Sequence, residues 1–132
     1  MPTTATGSFE ITMTPEAQAP GSGEPGAIRL EKQFAGDLEA TSLGRMLAVR
    51  SAVEGSAGYV AMERVTGTLG GRSGSFALQH SGTMDRGAPT LSVTVVPDSG
   101  TDGLIGLAGS MTIERSAGAH SYRFEYTLAD PA

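Results

Sequence analysis

The chain is 132 residues long with 19 glycines, 39% hydrophobic residues and only 17% charged ones, proportions that suit one turn-rich β domain with a real core. Its net charge of −5 and pI near 4.9 argue against a nucleic-acid partner, whose phosphates need a basic surface. The absence of cysteine rules out a disulfide framework, a thiol nucleophile and a thiolate metal site; with no apolar run of membrane-spanning length and no export signal in residues 1–10, a cytoplasmic protein with no membrane partner is expected.

The first predicted strand covers residues 7–14, where Phe9, Ile11 and Met13 alternate with Ser8, Glu10 and Thr12. Residues 15–26, PEAQAPGSGEPG, have no apolar period and read as a mobile Pro/Gly-rich loop inside a single domain spanning 1–132. In the second strand, 27–37, Ile28, Leu30 and Phe34 alternate with Arg29, Glu31 and Gln33, which puts Lys32 on the apolar face. A reversal is expected over 37–43. The third strand, 43–51, sets Arg45, Leu47 and Val49 against Met46, Ala48 and Arg50, and either side could face inward. Residues 54–58 then turn the chain.

Residues 59–85 form the most informative stretch, a long hairpin turning at Gly70-Gly71, a dipeptide that tolerates the positive φ angles of a tight turn. Tyr59, Ala61, Val65 and Leu69 share one face of its first strand with Glu63, and Phe76, Leu78 and Met84 share one face of its second with His80. A two-residue loop sets Ala61 opposite His80 and Glu63 opposite Leu78; a four-residue loop sets Glu63 opposite His80. Either way an acid and an imidazole lie within reach on an apolar face, whereas a three-residue loop would separate them.

After a turn at 86–89, Thr90 to Val96 supply another strand with Leu91, Val93 and Val95 inward. Residues 97–109, PDSGTDGLIGLAG, carry glycines at 100, 103 and 106 but no Lys-Ser/Thr and no following helix, so a phosphate loop is rejected. A wide loop is expected instead, with one helical turn bringing Leu104, Ile105 and Leu107 over an end of the sheet. The last hairpin turns at Ala117-Gly118 and pairs Ile113 with Tyr122 and Met111 with Phe124. The count is about eight antiparallel strands joined largely by tight turns, which fits a closed barrel or a two-sheet sandwich, with sequential hairpins favouring an up-and-down barrel.

The candidate catalytic residues are Glu63 and His80. Burial would raise the Glu63 pKa and make it a general acid or base, or Glu63 could be salt-bridged to Arg45, Arg115, Lys32 or Arg64 and fix the register. His80 could be an acid, a base or a hydrogen-bonded lumen residue. The chain has two histidines, His80 and His120, in no metal-ligand spacing, so no metal and no cofactor are expected. Ser73, Ser75 and Ser81 lie near His80, but no nucleophile elbow surrounds them. Tyr59, Tyr122 and Tyr126 could orient a ligand or pack in the core. Phe76, Leu78 and Phe124 would shape a cavity, with Arg45 and Arg115 as further ligand-binding candidates. Val60 and Met62 beside Arg64 make the opposite face unusually apolar, and a homo-oligomer burying it is expected.

The string ERVTGTLGGRSGSFALQHSGT at 63–83, with FAGDLEA at 34–40 and VVPDSGTDGLIGLAG at 95–109, resembles a bacterial family of uncharacterised small proteins. The resemblance covers roughly residues 27–128, and Asp98 stands where the family usually has glycine. It implies an all-β fold, a closed antiparallel eight-stranded barrel of the allene oxide cyclase-like, calycin-like type. Related barrels are cyclases that fold a reactive chain inside an apolar lumen. By that analogy the protein is expected to bind a small apolar molecule, either as a cofactor-independent cyclase or isomerase or as a non-catalytic carrier or sensor. An oligomeric structural or stress-associated protein with a filled barrel is the third possibility.

Overall fold

The computed structural model describes residues 2–17 and 23–128. Eight strands run β1 (Thr3–Pro15), β2 (Gly26–Gly36), β3 (Leu38–Arg50), β4 (Ala57–Leu69), β5 (Arg72–Asp85), β6 (Ala88–Val95), β7 (Ala108–Ser116) and β8 (Ala119–Thr127). Each pairs antiparallel with the next, and β8 returns to β1 to close an up-and-down barrel with no free edge. The expected loop over 15–26 has residues 18–22 outside the described part of the chain; beside them the Glu16 N–H donates to the Ala27 carbonyl. Among the described residues no helix is long and apolar enough to cross a membrane.

Tight turns fix the register. Gly70 and Gly71 have φ of +56° and +85°, the left-handed pair that suits a two-residue hairpin loop, so Leu69 pairs with Arg72, Ala61 with His80 and Glu63 with Leu78. Ala117-Gly118 turns in the same way and sets Ile113 opposite Tyr122 and Met111 opposite Phe124.

One boundary differs from expectation. Residues 37–43 are not a reversal: the chain turns at Gly36-Asp37, with Gly36 at φ +105°, and β3 begins at Leu38. Asp37 substitutes for a longer turn by accepting the Thr6 N–H on its carboxylate at 2.9 Å and the Gly70 N–H on its backbone carbonyl at 3.2 Å. Leu38, Ala40 and Ser42 therefore point into the barrel, and the third strand faces inward through Met46 and Ala48 rather than Arg45, Leu47 and Val49.

The two ends of the lumen differ. At the end carrying the Gly36-Asp37 and Gly70-Gly71 turns, Leu38, Val65, Leu69, Phe76 and Phe124 are packed out of contact with solvent, with the Phe76 and Phe124 rings stacked at 5.9 Å. Residues 96–107 cross this end, and a 3₁₀ turn at Asp102–Leu104 seats Leu104 and Leu107 on it while Ile105 stays in solvent. At the other end, the inward-facing Met13, Met84 and Leu91 remain more than 40% exposed, and Ile28, Met46, Tyr59 and Ile113 are half-buried. On the outer wall, Leu43, Leu47 and Val49 of β3 and Val60 and Met62 of β4 form an exposed apolar strip.

Candidate functional site

Between the sealed and open halves lies a layer of four buried polar side chains from four adjacent strands: Lys32 on β2, Ser42 on β3, Glu63 on β4 and His80 on β5. Strand alternation aims all four inward, and the register brings them to one level. Glu63 is the hub. Its Oε1 accepts from Lys32 Nζ at 3.0 Å and from His80 Nε2 at 2.6 Å, and its Oε2 accepts from Ser42 Oγ at 2.6 Å. Its side chain has no solvent exposure. The Lys32 ammonium also sits 5.0 Å from the Phe9 ring centroid and 5.9 Å from that of Phe34, so aromatic faces supply part of its solvation.

Burial by itself would raise the Glu63 pKa. The His80 hydrogen bond, the Lys32 charge, the Ser42 hydrogen bond and the charge of His80 outweigh it and lower the carboxyl to about 2. Glu63 is thus an anion at neutral pH. It cannot serve as a proton donor there, and its attraction to Lys32 offsets the cost of burying both. Of the four cations considered as its partner from the sequence, Lys32 is the one that reaches it.

An ionised carboxylate only accepts hydrogen bonds, so His80 Nε2 carries a proton toward Glu63. Its other ring nitrogen, Nδ1, has no hydrogen-bonding partner among the described residues. Val65, Phe76 and Leu78 pack on the sealed side of the layer, and the partly exposed end of the lumen lies on its other side.

Tyr59 stands at the edge of this space. It lies opposite Gly82, where a Cβ would fall 2.5 Å from the Tyr59 ring, so the ring lies across the bare glycine next to His80. Desolvation raises the Tyr59 pKa. Tyr122 is buried deeper and is structural in its bonding: its hydroxyl accepts from the Leu38 N–H at 2.9 Å and donates to the Ala35 carbonyl at 3.0 Å. Phe76, Leu78 and Phe124 belong to the packed half, and Tyr126 packs on Phe124 with ring centroids 5.3 Å apart.

The arginines are elsewhere. Arg45 is on the outer face and pairs with Glu16, and Arg115 is exposed at the open rim opposite His120. His120 stacks on Phe9 at 5.1 Å. Ser73 bonds to Thr68 and Ser75 to Thr101 at the sealed end, away from His80. Among the described residues no group of three or more histidine, cysteine or acidic side chains converges on a possible metal position.

Ser42 escaped the sequence reading because it fell inside the supposed reversal at 37–43. The signal was present in Leu38, Ala40 and Ser42 at period two, continuous with Gly44 and Met46.

No curated protein matches the chain. Among solved structures, a protein of unknown function from Shewanella oneidensis MR-1 is similar, with 47% sequence identity and a TM-score of 0.90 over 98% of this chain and 100% of that one. That protein is described as a member of the DUF3224 family. A model of the same family, a protein family of unknown function, matches residues 5–126 here. With that match spanning nearly all eight strands and the buried polar layer, the chain belongs to the DUF3224 family.

Proposed function

We propose that the protein binds a small apolar molecule in the open half of its barrel, as a carrier or sensor. The observation that carries this reading is the gradient of exposure along one lumen. Inward-facing side chains are sealed at and below the Glu63 layer, whereas above it Met46, Tyr59 and Ile113 are half-buried and Met13 and Leu91 more than 40% exposed, a gradient we read as an apolar cup open to solvent. A depression of about 560 Å³ along residues 50–57 and Met84 adjoins the same end. The resemblance to allene oxide cyclase-like barrels points to a lumen ligand as well.

Binding is favoured over catalysis by the electrostatics. The charges of Glu63 and Lys32 neutralise each other, and the carboxylate is committed to three hydrogen bonds, which leaves it no proton to give. A cofactor-independent isomerase or cyclase is the second reading, favoured by one observation: the Glu63 carboxylate and the His80 imidazole meet at 2.6 Å in a buried layer, the residue types that acid–base chemistry uses.

Nile red titration tests the proposal. Saturable one-to-one binding that is weakened at least about tenfold by Met46→Glu or Ile113→Glu, and unchanged by Val60→Ser on the outer strip, is expected. Loss of binding in Val60→Ser with full binding in the two cup variants would sink the cup and move the ligand to the outer wall.

A further inference from the structure

We infer that the junction between β6 and β7 is the gate of the barrel: the two strands part from the open rim down to the Thr94–Ser110 pair, and a ligand of the cup enters and leaves sideways between them. The ligand's path rests on the binding reading, whereas the parting of the strands stands on the backbone alone.

The strand ladders carry the inference. Seven of the eight junctions around the barrel are laced by ladders of seven to thirteen residue pairs. β6 and β7 share one pair, Thr94 with Ser110. Thr94 also lies opposite Gln79 on β5, the residue before His80, so this pair is level with the buried polar layer. On the sealed side of it, residues 96–107 join the two strands and are fastened to β5. There the Val96 N–H donates to the Ala77 carbonyl at 2.9 Å and the Thr101 N–H to the Ser75 carbonyl at 2.8 Å, while Leu104 and Leu107 are buried. The junction is therefore closed at its lower end and unlaced from the layer to the rim. Along that stretch β6 is held by β5 alone and β7 by β8 alone.

Burial follows the same line. Alternation normally hides one face of a barrel strand, yet β6 is exposed at every residue from Ala88 to Ser92 and buried only at Val93 and Val95. Leu91 shares the inward sense of Val93 and is 44% exposed. Continuing the register from Thr94–Ser110 sets Leu91 opposite Ile113 and Ser92 opposite Thr112. Zipping the strands would thus cover Leu91 and exchange water for backbone partners, a trade that is nearly balanced for each hydrogen bond. The neighbouring wall is stiff by comparison. The Gly87 N–H donates to the Gly55 carbonyl at 3.0 Å and the Arg86 N–H to the Ser56 Oγ at 3.0 Å, which ties the β5–β6 turn to the β3–β4 turn. β6 moves with β3, β4 and β5, and β7 with β8 and β1, so relative motion of the two walls falls at the β6–β7 junction.

The chain has no cysteine, so Ser92→Cys with Thr112→Cys introduces a single thiol pair across the junction. The thiols are joined by oxidation or, where they lie apart, by a short bis-thiosulfonate. Stopped-flow Nile red fluorescence should show binding and release both slowed at least about tenfold by the link and restored by dithiothreitol, with affinity kept within about twofold, since a gate sets rates in both directions and leaves the equilibrium alone. The same link between Val60→Cys and Ser81→Cys, an opposed pair on the fully laced β4–β5 ladder, should leave the rates unchanged. Hydrogen exchange of the native chain is the second readout and needs neither variant nor ligand. Amides of residues 89–92 and 112–115 that face the junction should exchange at least about tenfold faster than those of the β4–β5 ladder. Equal protection at the two places, or unchanged rates in the linked chain, would overturn the gate and leave the cup standing. Loss of affinity on linking would overturn it too, by making the junction part of the ligand site. Absence of Nile red binding by the native chain would sink the cup and the ligand's path together.

Discussion

Gly44 faces Glu63 across the β3–β4 ladder, and a Cβ built on Gly44 would lie 2.7 Å from the Glu63 Cβ and 2.6 Å from the Met62 carbonyl oxygen. The missing side chain on one strand is thus what lets the carboxylate on the next take up its place among three donors. Both contacts are with atoms close to the backbone, which cannot swing away. Gly44→Ala is therefore expected to cost about 1–3 kcal/mol by overpacking. Gly26→Ala on the neighbouring strand, where the nearest atom is 3.7 Å off, is the matched control and should cost far less. Urea denaturation of the two variants checks this, and equal losses would remove the steric role of Gly44.

Glu63 and Lys32 should behave as one unit. Glu63→Gln leaves a buried ammonium with no counter-charge and is expected to destabilise by about 3–5 kcal/mol. Lys32→Met strands the carboxylate with His80 and Ser42 and should cost a similar amount. Removing both charges together should cost less than the sum of the two single losses, with a coupling of about 2 kcal/mol or more. A double-mutant cycle by chemical denaturation measures this, and additive losses would show that the 3.0 Å contact carries no energy.

How much of this was legible before the fold was known follows from strand geometry. Alternation put Glu63 and His80 on one face, and the Gly70-Gly71 turn left the loop lengths that keep them there, so their convergence could be read from residues 59–85. Lys32 stood out as a cation on an apolar strand, but its pairing with Glu63 requires β3 to lie between them at the right offset, and that offset was hidden by a one-residue turn at Asp37 that has little local signature. The sidedness of Arg45 was open for the same reason. Period two also says which residues face inward and not how far down the lumen they are packed. Phe76 and Met46 have the same inward sense, and only the closure of the barrel and the loop at 96–107 makes one core and the other wall.

The acid limb of stability should carry the signature of Glu63. Its folded pKa is about 2 against an ordinary 4.5, so the unfolded chain takes up the proton first as pH falls. The stabilisation is complete above about pH 4.5 and is lost progressively as pH drops toward about 2, amounting to on the order of 3 kcal/mol in all. The stability difference between the native chain and Glu63→Gln should accordingly shrink across that window, with the other carboxylates cancelling in the comparison. Urea midpoints at a series of pH values read it directly. A difference constant from pH 6 to 2 would mean that Glu63 is not held as an anion.

Tyr122 offers a test of the sealed half that leaves the polar layer alone. From β8 its ring reaches past Gly7 on β1, where a Cβ would come within 2.5 Å of the hydroxyl, to bond the backbone on both sides of the Gly36-Asp37 turn. Tyr122→Phe keeps the ring, which packs edge-on against Phe34 at 5.8 Å, and deletes only the hydroxyl. The Leu38 N–H then loses its acceptor in a position with no route to water, since Leu38 itself is fully buried. The expected cost is about 1–3 kcal/mol, with the unmet donor rather than the lost bond setting its size. Amide exchange at Leu38 should quicken more than at Val65, deeper in the same wall. Because Glu63, Lys32 and His80 take no bond from Tyr122, Nile red binding should be unchanged in this variant. A large loss of binding would mean that the sealed half and the cup are mechanically one, so that packing at the Asp37 turn sets the shape of the ligand site.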